Sequence, residues 1–478
     1  MGLSMFFTLA SKAVGYLRQL LVAFFYGVSR DLDIYLMAFS LTMLLIFAYT
    51  TWFDQIAVAR LVQTYEKEGE ERFQSLSASL FSFSVLTGMV LALLFIIVFP
   101  IACWALSHGF APAERLRVRH MAMFFLPWIL IIFPYSAASA IVKSRRYYDV
   151  AMLADFIVSL VATAGFAIAH RHLVSLPLAL GAGYLLSLTG LVAFCLRFTP
   201  LIGSVWTEQI RPVYRNFREL FLVNQMGNLG NAFDRFFQSH LIPGSISAYN
   251  YALQAQAPLQ EFLAFDELFI VPLSSEQQRI QKLQRLISGI LLLTVPLTFF
   301  LFTCSSDIVQ FFYERGHFDV SARVLTSGVF RVLAFGIVSA AIGTPLARML
   351  QIFDRQVYNG VISLGSSVLF LLLNMLFVFR LKMDVLGIAC ALVAKSYFSA
   401  LFALYWLHHF SVRMDYLRLL TYLGYALIVA LIAVRVVCWL PRLNSSLVNL
   451  LIAGTAFGAI VTLLYWPVRA NIKFIVYG

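Results

Sequence analysis

The chain has 478 residues, of which 61% are hydrophobic and only 12% are charged, and its mean hydropathy is +0.84. An average soluble protein is roughly 45–50% apolar and about 25% charged, so lipid must solvate most of this chain. The composition therefore excludes an ordinary cytosolic enzyme, a secreted disulfide scaffold and a disordered chain. The 35 Lys and Arg against 23 Asp and Glu leave a net charge of +12, which fits the basic cytoplasmic loops of a membrane protein better than nucleic-acid binding.

Apolar stretches long enough to cross a bilayer as helices follow one another along the whole chain. The short alternating pattern of a membrane barrel is absent from these stretches. We therefore predict an all-α polytopic membrane protein with about 14 transmembrane helices. The predicted spans cover residues 3–27, 33–61, 77–107, 115–141, 147–170, 174–197, 217–241, 246–273, 286–305, 322–351, 356–379, 384–408, 416–437 and 446–468.

The longest hydrophilic interruption begins after the sixth span and predicts an amphipathic cytoplasmic linker over residues 198–216. It separates an N-lobe, residues 1–197, from a C-lobe, residues 217–410, and the last two spans with a tail occupy residues 411–478. The two six-helix lobes are expected to be pseudo-symmetric, because in spans 1 and 7 a central arginine is followed by a glycine turn and an aromatic-x-x-Ala sequence. The loops on the same side of the membrane as the N-terminus carry more Lys and Arg than the loops on the other side. This bias predicts that both termini are cytoplasmic.

Charged residues in the middle of predicted spans are the strongest functional signal, since each costs about 2.5–3.5 kcal/mol at the bilayer centre. Central cations suit an anionic substrate, above all a phosphate, which Arg binds as a fork and Lys as a point charge. Lys12 and Arg18 in span 1 lie about 120° apart around a helix and can line one cavity wall. We predict that these two cations and Arg235 in span 7 bind substrate; for Lys12 the alternative is snorkelling to the membrane surface.

Spans 7 and 8 carry an unusual number of amide side chains. Asn228 and Asn231 precede Asp234 in span 7, and Gln254 and Gln256 lie in span 8. Such a series is expected where a helix lines an aqueous cavity, and we predict that these four amides contact polar groups of the substrate. Hydrogen bonds between neighbouring helices are the alternative.

Several kinds of chemistry are absent from the sequence. It contains no Walker-type GxxxxGK[ST], no metal-spaced His and Cys set and no G-x-S-x-G. We therefore predict neither catalytic residues nor metal ligands nor ATP-driven transport by this chain alone. The cysteines form no C-x-x-C pair and are predicted to be buried small hydrophobic residues: Cys103, Cys195, Cys304, Cys390 and Cys438.

Three segments in order resemble the MurJ/MviN family of the MOP flippase superfamily: SKAVGYLRQLLVAFFYGVSRDLDIYLMAF, DRFFQSHLIPGSISAYNYALQAQAPL and FYERGHFDVSA. The resemblance implies a flippase that moves polyprenyl-diphosphate-linked saccharides across the bacterial inner membrane by alternating access between two lobes. It implies that helices 13 and 14 hold the lipid tail. It also assigns Lys12 and Arg18 to the family's cavity cations and Asp33 to the acidic residue that opens span 2.

The resemblance extends to ion coupling. Some relatives use a sodium site in the second lobe, to which Asp234 and Asn374 would contribute here. Val378, one helical turn beyond Asn374, supplies no oxygen ligand for such a hard cation. We assign the coupling role to Asp234, Asn374 and the central Asp155 of span 5. No cofactor is expected, and the driving force is left open between a sodium ion, the proton gradient and the membrane potential.

The sequence departs from the family pattern where the family carries charges. Gln19 replaces an acidic residue, Ile46 and Phe47 replace paired arginines in span 2, and Leu253 and Gln254 replace an Asp-Arg pair in span 8. Because cations that would meet a diphosphate and a peptide are missing, we expect a member dedicated to an exopolysaccharide precursor, as in the PslK-like branch. A polysaccharide polymerase and glycosyltransferases are the expected protein partners.

Three rival functions remain at this point. A true lipid II flippase would need the missing cations, and a MATE-type exporter of cationic drugs or metabolites would rely on Asp155 and Asp234. A non-transporting scaffold for a synthase complex would tolerate loss of Arg18. The expected location is the bacterial inner membrane in each case.

Overall fold

The structure is a computed structural model that describes residues 2–52, 56–205, 207, 210, 233–262, 279–353, 355, 357–410, 412, 414–441, 443 and 445–466. Within these ranges every regular secondary-structure element is a helix, and no strand is assigned. Ten helical segments in the described part of the chain, three of which join two consecutive helices, are long and apolar enough to cross a membrane. This confirms the predicted all-α polytopic class, while the count of 14 spans stays a prediction.

In the first half of the described chain, the predicted spans 3–27, 147–170 and 174–197 each correspond to one helix, whereas the predicted span 115–141 is divided between two helices. The helices are α1 (Gly2–Tyr26), α2 (Arg30–Trp52), α3 (Val58–Glu68), α4 (Glu70–Leu106), α5 (Pro112–Met123), α6 (Leu126–Ser144), α7 (Tyr148–Ile168) and α8 (Ser175–Cys195), with a further helical stretch at 233–239.

The second half continues in the same way. Its helices are α9 (Ser245–Phe262), α10 (Arg279–Thr303), α11 (Ser305–Tyr313), α12 (Val320–Ala334), α13 (Gly336–Ile352), α14 (Val357–Asn374), α15 (Asp384–His409), α16 (Tyr416–Trp439) and α17 (Ser446–Tyr465). A short π-helix, Met375–Arg380, extends α14. The last predicted span, 446–468, thus has its described helix at Ser446–Tyr465.

Contacts divide the chain into two compact units, Met1–His240 and Leu241–Gly478. In the N-terminal unit α7 packs along α1 and α8, and α6 packs along α4 and α8. Polar side chains join these helices: the Ser187 hydroxyl donates to the Ala154 carbonyl at 2.9 Å, and the Thr163 hydroxyl donates to the Val14 carbonyl at 3.2 Å. Such bonds help to hold helices together where lipid supplies no hydrophobic drive.

In the C-terminal unit α10 packs against α16, α13 against α15, and α9 against α12. The hydrophobic core formed by α10, α13, α15 and α16 is almost entirely aliphatic and includes Leu283, Leu292, Leu346 and Leu407. A hydrogen bond joins α13 to α15, in which the Ser339 hydroxyl donates to the Ser396 hydroxyl at 2.9 Å.

The beginning of the predicted linker packs on α4 as non-helical chain. The Gln74 amide donates to the Phe198 carbonyl at 3.0 Å, and the Gly203 backbone N–H donates to the Ser82 hydroxyl at 3.0 Å. A Cβ at Gly203 would lie only 2.8 Å from the Ala78 Cβ, so glycine permits this close approach. Most of the amphipathic part, residues 206, 208–209 and 211–216, lies outside the described residues.

The cysteine prediction is confirmed for three residues and wrong for one. Cys103, Cys195 and Cys304 are buried and Cys390 is partly exposed, whereas Cys438 is exposed. Cys438 lies near the end of α16. An outward-facing side chain in a membrane helix is solvated by lipid, so an apolar sequence does not require that it be covered by protein.

Asp319 caps α12, because its carboxylate accepts from the backbone N–H of Ala322 and from the Ser321 hydroxyl, both at 2.8 Å. The backbone bond, followed by the hydroxyl bond, holds the pKa of Asp319 below its usual range. Its contribution to stability is therefore complete above the unfolded pKa of about 3.9 and is lost as the pH falls through the lower folded value. We expect Asp319→Ala to lower the free energy of unfolding by about 1 kcal/mol at neutral pH, measured by thermal melting.

The control for this prediction is Asp319→Asn, which keeps a good capping side chain but removes the titrating group. It should melt close to the parent near neutral pH and lack the acid-dependent loss. Identical melting of the alanine variant and the parent would contradict the capping role.

Candidate functional site

Arg18 lies in the interior of α1 and is partly exposed. Its guanidinium interacts electrostatically with the hydroxyls of Tyr35 on α2 and Tyr184 on α8. Lys12 precedes it by about 9 Å along the helix axis and is exposed. The structure thus places one predicted cation within electrostatic range of two tyrosines of the N-terminal unit and leaves the other exposed on the same helix.

Asp155 on α7 accepts a hydrogen bond from the Tyr135 hydroxyl of α6 at 2.5 Å. The ring of Tyr135 meets that of Tyr184 edge-on, with centroids 4.9 Å apart, and the Asp155 carboxylate also interacts with Tyr184. Tyr184 therefore lies within electrostatic range of both the Arg18 cation and the Asp155 anion. The structure brings these two predicted residues into one polar cluster, which we call the tyrosine cluster: Arg18, Tyr35, Tyr135, Asp155 and Tyr184.

Aromatic rings extend the tyrosine cluster along α2 and α6. Trp128 lies parallel to Phe39 with ring centroids 6.1 Å apart, and it lies 6.1 Å from Tyr184. Sequence reasoning missed Tyr35, Tyr135 and Tyr184. A signal was present, since a tyrosine hydroxyl within a span needs a polar partner.

Asp33, predicted to bind substrate, is fully buried at the beginning of α2. Its carboxylate lies 3.8 Å from the Arg30 guanidinium, which forms a two-pronged bond with Glu114 at 2.8 Å for each prong and covers the Phe110 ring at 3.9 Å. Arg30 thus links α2 to Glu114 of α5, and Asp33 lies beside this link, which is a structural role for its carboxylate. Its role toward substrate stays a prediction.

Asp234 and Arg235 are bridged by one amide side chain. The Gln238 amide nitrogen donates to the Asp234 carboxylate at 2.7 Å, and Arg235 donates to the amide oxygen of the same Gln238. Adjacent residues that point in different directions are thus linked through the residue one turn further on. Asn228 and Asn231 lie outside the described residues.

In the C-terminal unit Gln256 is buried, and its amide donates to the Leu333 carbonyl of α12 at 2.7 Å. This is the contact between helices that the alternative interpretation describes. Gln254 is partly exposed. Asn374 is fully buried, and within the described part of the chain neither amide atom of its side chain has a hydrogen-bond partner. Asp234 and Asn374 belong to different units, and their joint coupling role stays a prediction.

Two apolar grooves border the last helices of the C-terminal unit. One, of about 590 Å³, lies between α10 and α17 and is lined by residues such as Pro296, Phe300, Phe457 and Val461. The other, of about 500 Å³, lies between α10, α13, α15 and α16. Both volumes are in the range of small-molecule sites, and their linings are chemically suited to hydrocarbon.

The fold is shared with solved membrane transporters. The structure described as "Lipid II flippase MurJ, inward closed conformation" matches with a TM-score of 0.82 and 18% identity, over 98% of this chain and 100% of that one. An inward-facing multidrug resistance MATE family transporter of the MOP superfamily matches with a TM-score of 0.66 and 12% identity, over 84% and 97% of the two chains. The chain therefore has the fold that these MOP-superfamily transporters share.

The family model described as "Lipid II flippase MurJ" matches residues 22–456, and the chain belongs to this family. "Probable lipid II flippase MurJ" of Buchnera aphidicola subsp. Schizaphis graminum is 23% identical over 428 residues, which are 84% of this chain and 80% of that protein. The protein of the same description from Aquifex aeolicus is 24% identical over 350 residues, 69% and 67% of the two chains. The resemblance seen in the sequence is confirmed: this is a multi-pass membrane flippase for a lipid-linked substrate.

Proposed function

We propose that the protein translocates a polyprenyl-diphosphate-linked oligosaccharide across the bacterial inner membrane for exopolysaccharide synthesis, by alternating access and with both termini in the cytoplasm. The observation that carries the proposal is Arg18, a partly exposed cation in the interior of α1. A doubly charged headgroup cannot cross bare hydrocarbon, so it needs compensating charge along its path. Arg18, with Lys12 on the same helix and Arg235, supplies that charge.

The departures from the family pattern support an oligosaccharide other than lipid II. Ile46 stands where the family carries a cation and is buried at 1% exposure. Gln254 is partly exposed and offers hydrogen bonds in place of a charge. A site with fewer cations, and with an amide in place of one of them, suits a diphosphate-linked sugar without a charged peptide. The expected partners of this protein are glycosyltransferases, which make such a lipid-linked intermediate, and a polymerase, which consumes it.

The apolar groove between α10 and α17 supports the proposal that the substrate carries a polyprenyl chain. Its lining residues are almost all aliphatic or aromatic, and Trp466 at one end suits the membrane interface. A polyprenyl chain in this groove would remain in a hydrocarbon environment while the headgroup crosses. This placement agrees with the tail position that the family resemblance implies for the last helices.

The experiment that tests this function is deletion of the gene. We expect the lipid-linked intermediate to accumulate on the inner leaflet and surface polysaccharide to be lost, measured by leaflet-specific labelling of the intermediate and by polysaccharide yield. Unchanged surface polysaccharide would refute the proposal. Neighbouring genes for glycosyltransferases and a polymerase would support it.

The second candidate function is lipid II translocation, which the names of the matched family and relatives favour. Expression of this chain in a strain depleted of its own MurJ distinguishes lipid II translocation from translocation of an exopolysaccharide precursor. We expect no rescue of growth, because the cations of spans 2 and 8 are missing. Rescue at normal expression would make lipid II the substrate.

We propose that Asp155 couples transport to an ion gradient. Its carboxylate is held by Tyr135 and lies in the same cluster as Arg18, so a change in its charge alters the field at the proposed substrate cation. Asp155→Asn keeps the size and the acceptor for Tyr135 but removes the charge. In proteoliposomes we expect it to abolish the stimulation that a sodium, pH or potential gradient gives to the parent.

The matched control is Asp149→Asn, which removes an exposed carboxylate from the first turn of the same helix. It should respond to the gradient as the parent does. A full gradient response in Asp155→Asn would exclude Asp155 as the coupling group.

A further inference from the structure

A row of four aromatic rings lies near Arg18 in the N-terminal unit. Tyr35 and Phe39 are one turn apart on α2, and their rings are nearly parallel, at 16°, with centroids 6.1 Å apart. Phe39 is nearly parallel, at 7°, to Trp128 of α6, and the ring of Tyr184 on α8 follows Trp128 at 6.1 Å. We call these four rings the aromatic wall: Tyr35, Phe39, Trp128 and Tyr184.

The aromatic wall borders an internal space. Tyr35 and Tyr184 lie deep within the protein, yet both side chains keep partly exposed surface, as does Phe39. Surface that is deep and still accessible faces a cavity and not the lipid around the protein. Arg18 agrees with this placement. It is partly exposed, lies within electrostatic range of both tyrosines and would be costly to expose to acyl chains.

Buried rings hold the aromatic wall in place from behind. Trp128 is only 4% exposed and Phe125 is fully buried. The centroid of the Phe125 ring lies 5.9 Å from the ring centroids of both Tyr35 and Phe39. Rings that are packed in this way keep their orientation without a ligand, so a ligand that binds against them pays little for ordering the side chains.

Accessible aromatic rings near a cation suit a sugar that is joined to a phosphate. An aromatic face carries partial negative charge, and the C–H bonds of a pyranose ring present partial positive charge to it. A tyrosine hydroxyl can both donate to and accept from the hydroxyls at the edge of the sugar. Arg18 supplies charge-assisted bonds to the phosphate. An acyl chain would use the rings without the cation, and a free phosphate would use the cation without the rings.

We propose that the aromatic wall binds the first sugar of the transported substrate, a hexopyranose stacked on Tyr35 and Phe39, while Arg18 binds the diphosphate to which this sugar is joined. The inference rests on the proposed function and deepens it, because it assigns the residues that distinguish a glycosyl diphosphate from other anions. Phe39 is the best member to test. Its side chain has no polar group, so its replacement leaves the charges near Arg18 unchanged.

The test compares two probes by calorimetric titration of the purified full-length protein in detergent. The probes are the D-glucosyl ester and the methyl ester of farnesyl diphosphate, which carry the same charge and the same prenyl chain. We expect the parent to bind the glucosyl ester about three- to tenfold more tightly, the range that aromatic contacts supply. Phe39→Leu should remove most of this preference and leave the affinity for the methyl ester unchanged, whereas Phe39→Tyr should retain the preference.

Phe24→Leu is the matched control, because it makes the same change at a phenylalanine that is 45% exposed near the end of α1. It should show the preference of the parent. Equal binding of the two esters by the parent would overturn the inference, and this comparison needs no variant. A folded Phe39→Leu protein that keeps the full preference, or that binds both esters equally more weakly, would also overturn it, because the ring would then not act on the sugar.

Failure of this inference is distinguishable from failure of the proposed function. If deletion of the gene abolishes surface polysaccharide and the parent binds the two esters equally, only the sugar site is refuted. If the glucosyl ester is preferred through Phe39 and deletion leaves polysaccharide unchanged, the sugar site is supported and the exopolysaccharide function is refuted.

Discussion

Replacement of Arg18 by alanine is expected to reduce transport of the lipid-linked substrate by at least about tenfold, because a charge-assisted bond to phosphate contributes about 1.5–3 kcal/mol. Arg18→Lys keeps the charge but loses the two-pronged geometry, so it should retain intermediate activity. The measurement is the amount of lipid-linked intermediate on the inner leaflet, at matched levels of protein in the membrane.

Arg197→Ala is the control for Arg18. Arg197 is an exposed cation after the end of α8, and its guanidinium lies 5.5 Å over the Phe194 ring. Its removal should leave transport unchanged. Full transport by Arg18→Ala would contradict the anionic-substrate hypothesis. It would favour a MATE-type exporter of cations, or a scaffold if the purified protein transports nothing.

A methyl group added at Gly183 is expected to destabilise the N-terminal unit by about 1–3 kcal/mol, the usual cost of overpacking. A Cβ at this position would lie 2.8 Å from the Val158 carbonyl oxygen and 3.2 Å from the Val158 Cα. These are backbone atoms of α7, so the two helices must separate rather than a side chain rotate. Thermal melting of purified Gly183→Ala measures the loss.

Gly190→Ala provides a control on the same helix, since a Cβ there has no neighbour within 4 Å. It should leave the melting temperature unchanged or raise it, because alanine favours a helix over glycine by roughly 0.5–1 kcal/mol. Equal melting of the two variants would show that the α7–α8 contact does not limit stability.

The Gly183 substitution also has a functional consequence. Tyr184 is the next residue and carries the interactions with both Arg18 and Asp155. A separation of α7 from α8 changes the position of Tyr184 on α8 relative to Asp155 on α7. We therefore expect Gly183→Ala to transport less substrate than Gly190→Ala even below its melting temperature.

Helix positions could be predicted well from the sequence. The predicted span 384–408 corresponds to Asp384–His409, and 416–437 corresponds to Tyr416–Trp439. Runs of apolar residues bounded by charges mark a membrane helix because partition into lipid depends on local composition. Interruptions within a run were less visible, since the predicted span 115–141 is divided between the helices α5 and α6.

The site could be predicted only in part. Arg18 and Asp155 stood out because a charge inside lipid is costly whichever residues surround it. Tyr135 and Tyr184 were missed because an uncharged tyrosine in an apolar run does not stand out as a charged residue does. Gln256 was assigned to substrate, but its amide bonds to the Leu333 carbonyl, a partner 77 residues away along the chain.

The amino-acid sequence by itself determined that this chain is a helical membrane protein of the MurJ family and that it carries cations at membrane depth. Only the tertiary structure decided that Tyr184 lies within electrostatic range of both Arg18 and Asp155, and that Asp33 is buried beside Arg30. The reason is physical. The transfer of a helix into lipid is a sum over its own residues, whereas the pairing of side chains depends on the rotation and separation of helices that are distant in sequence.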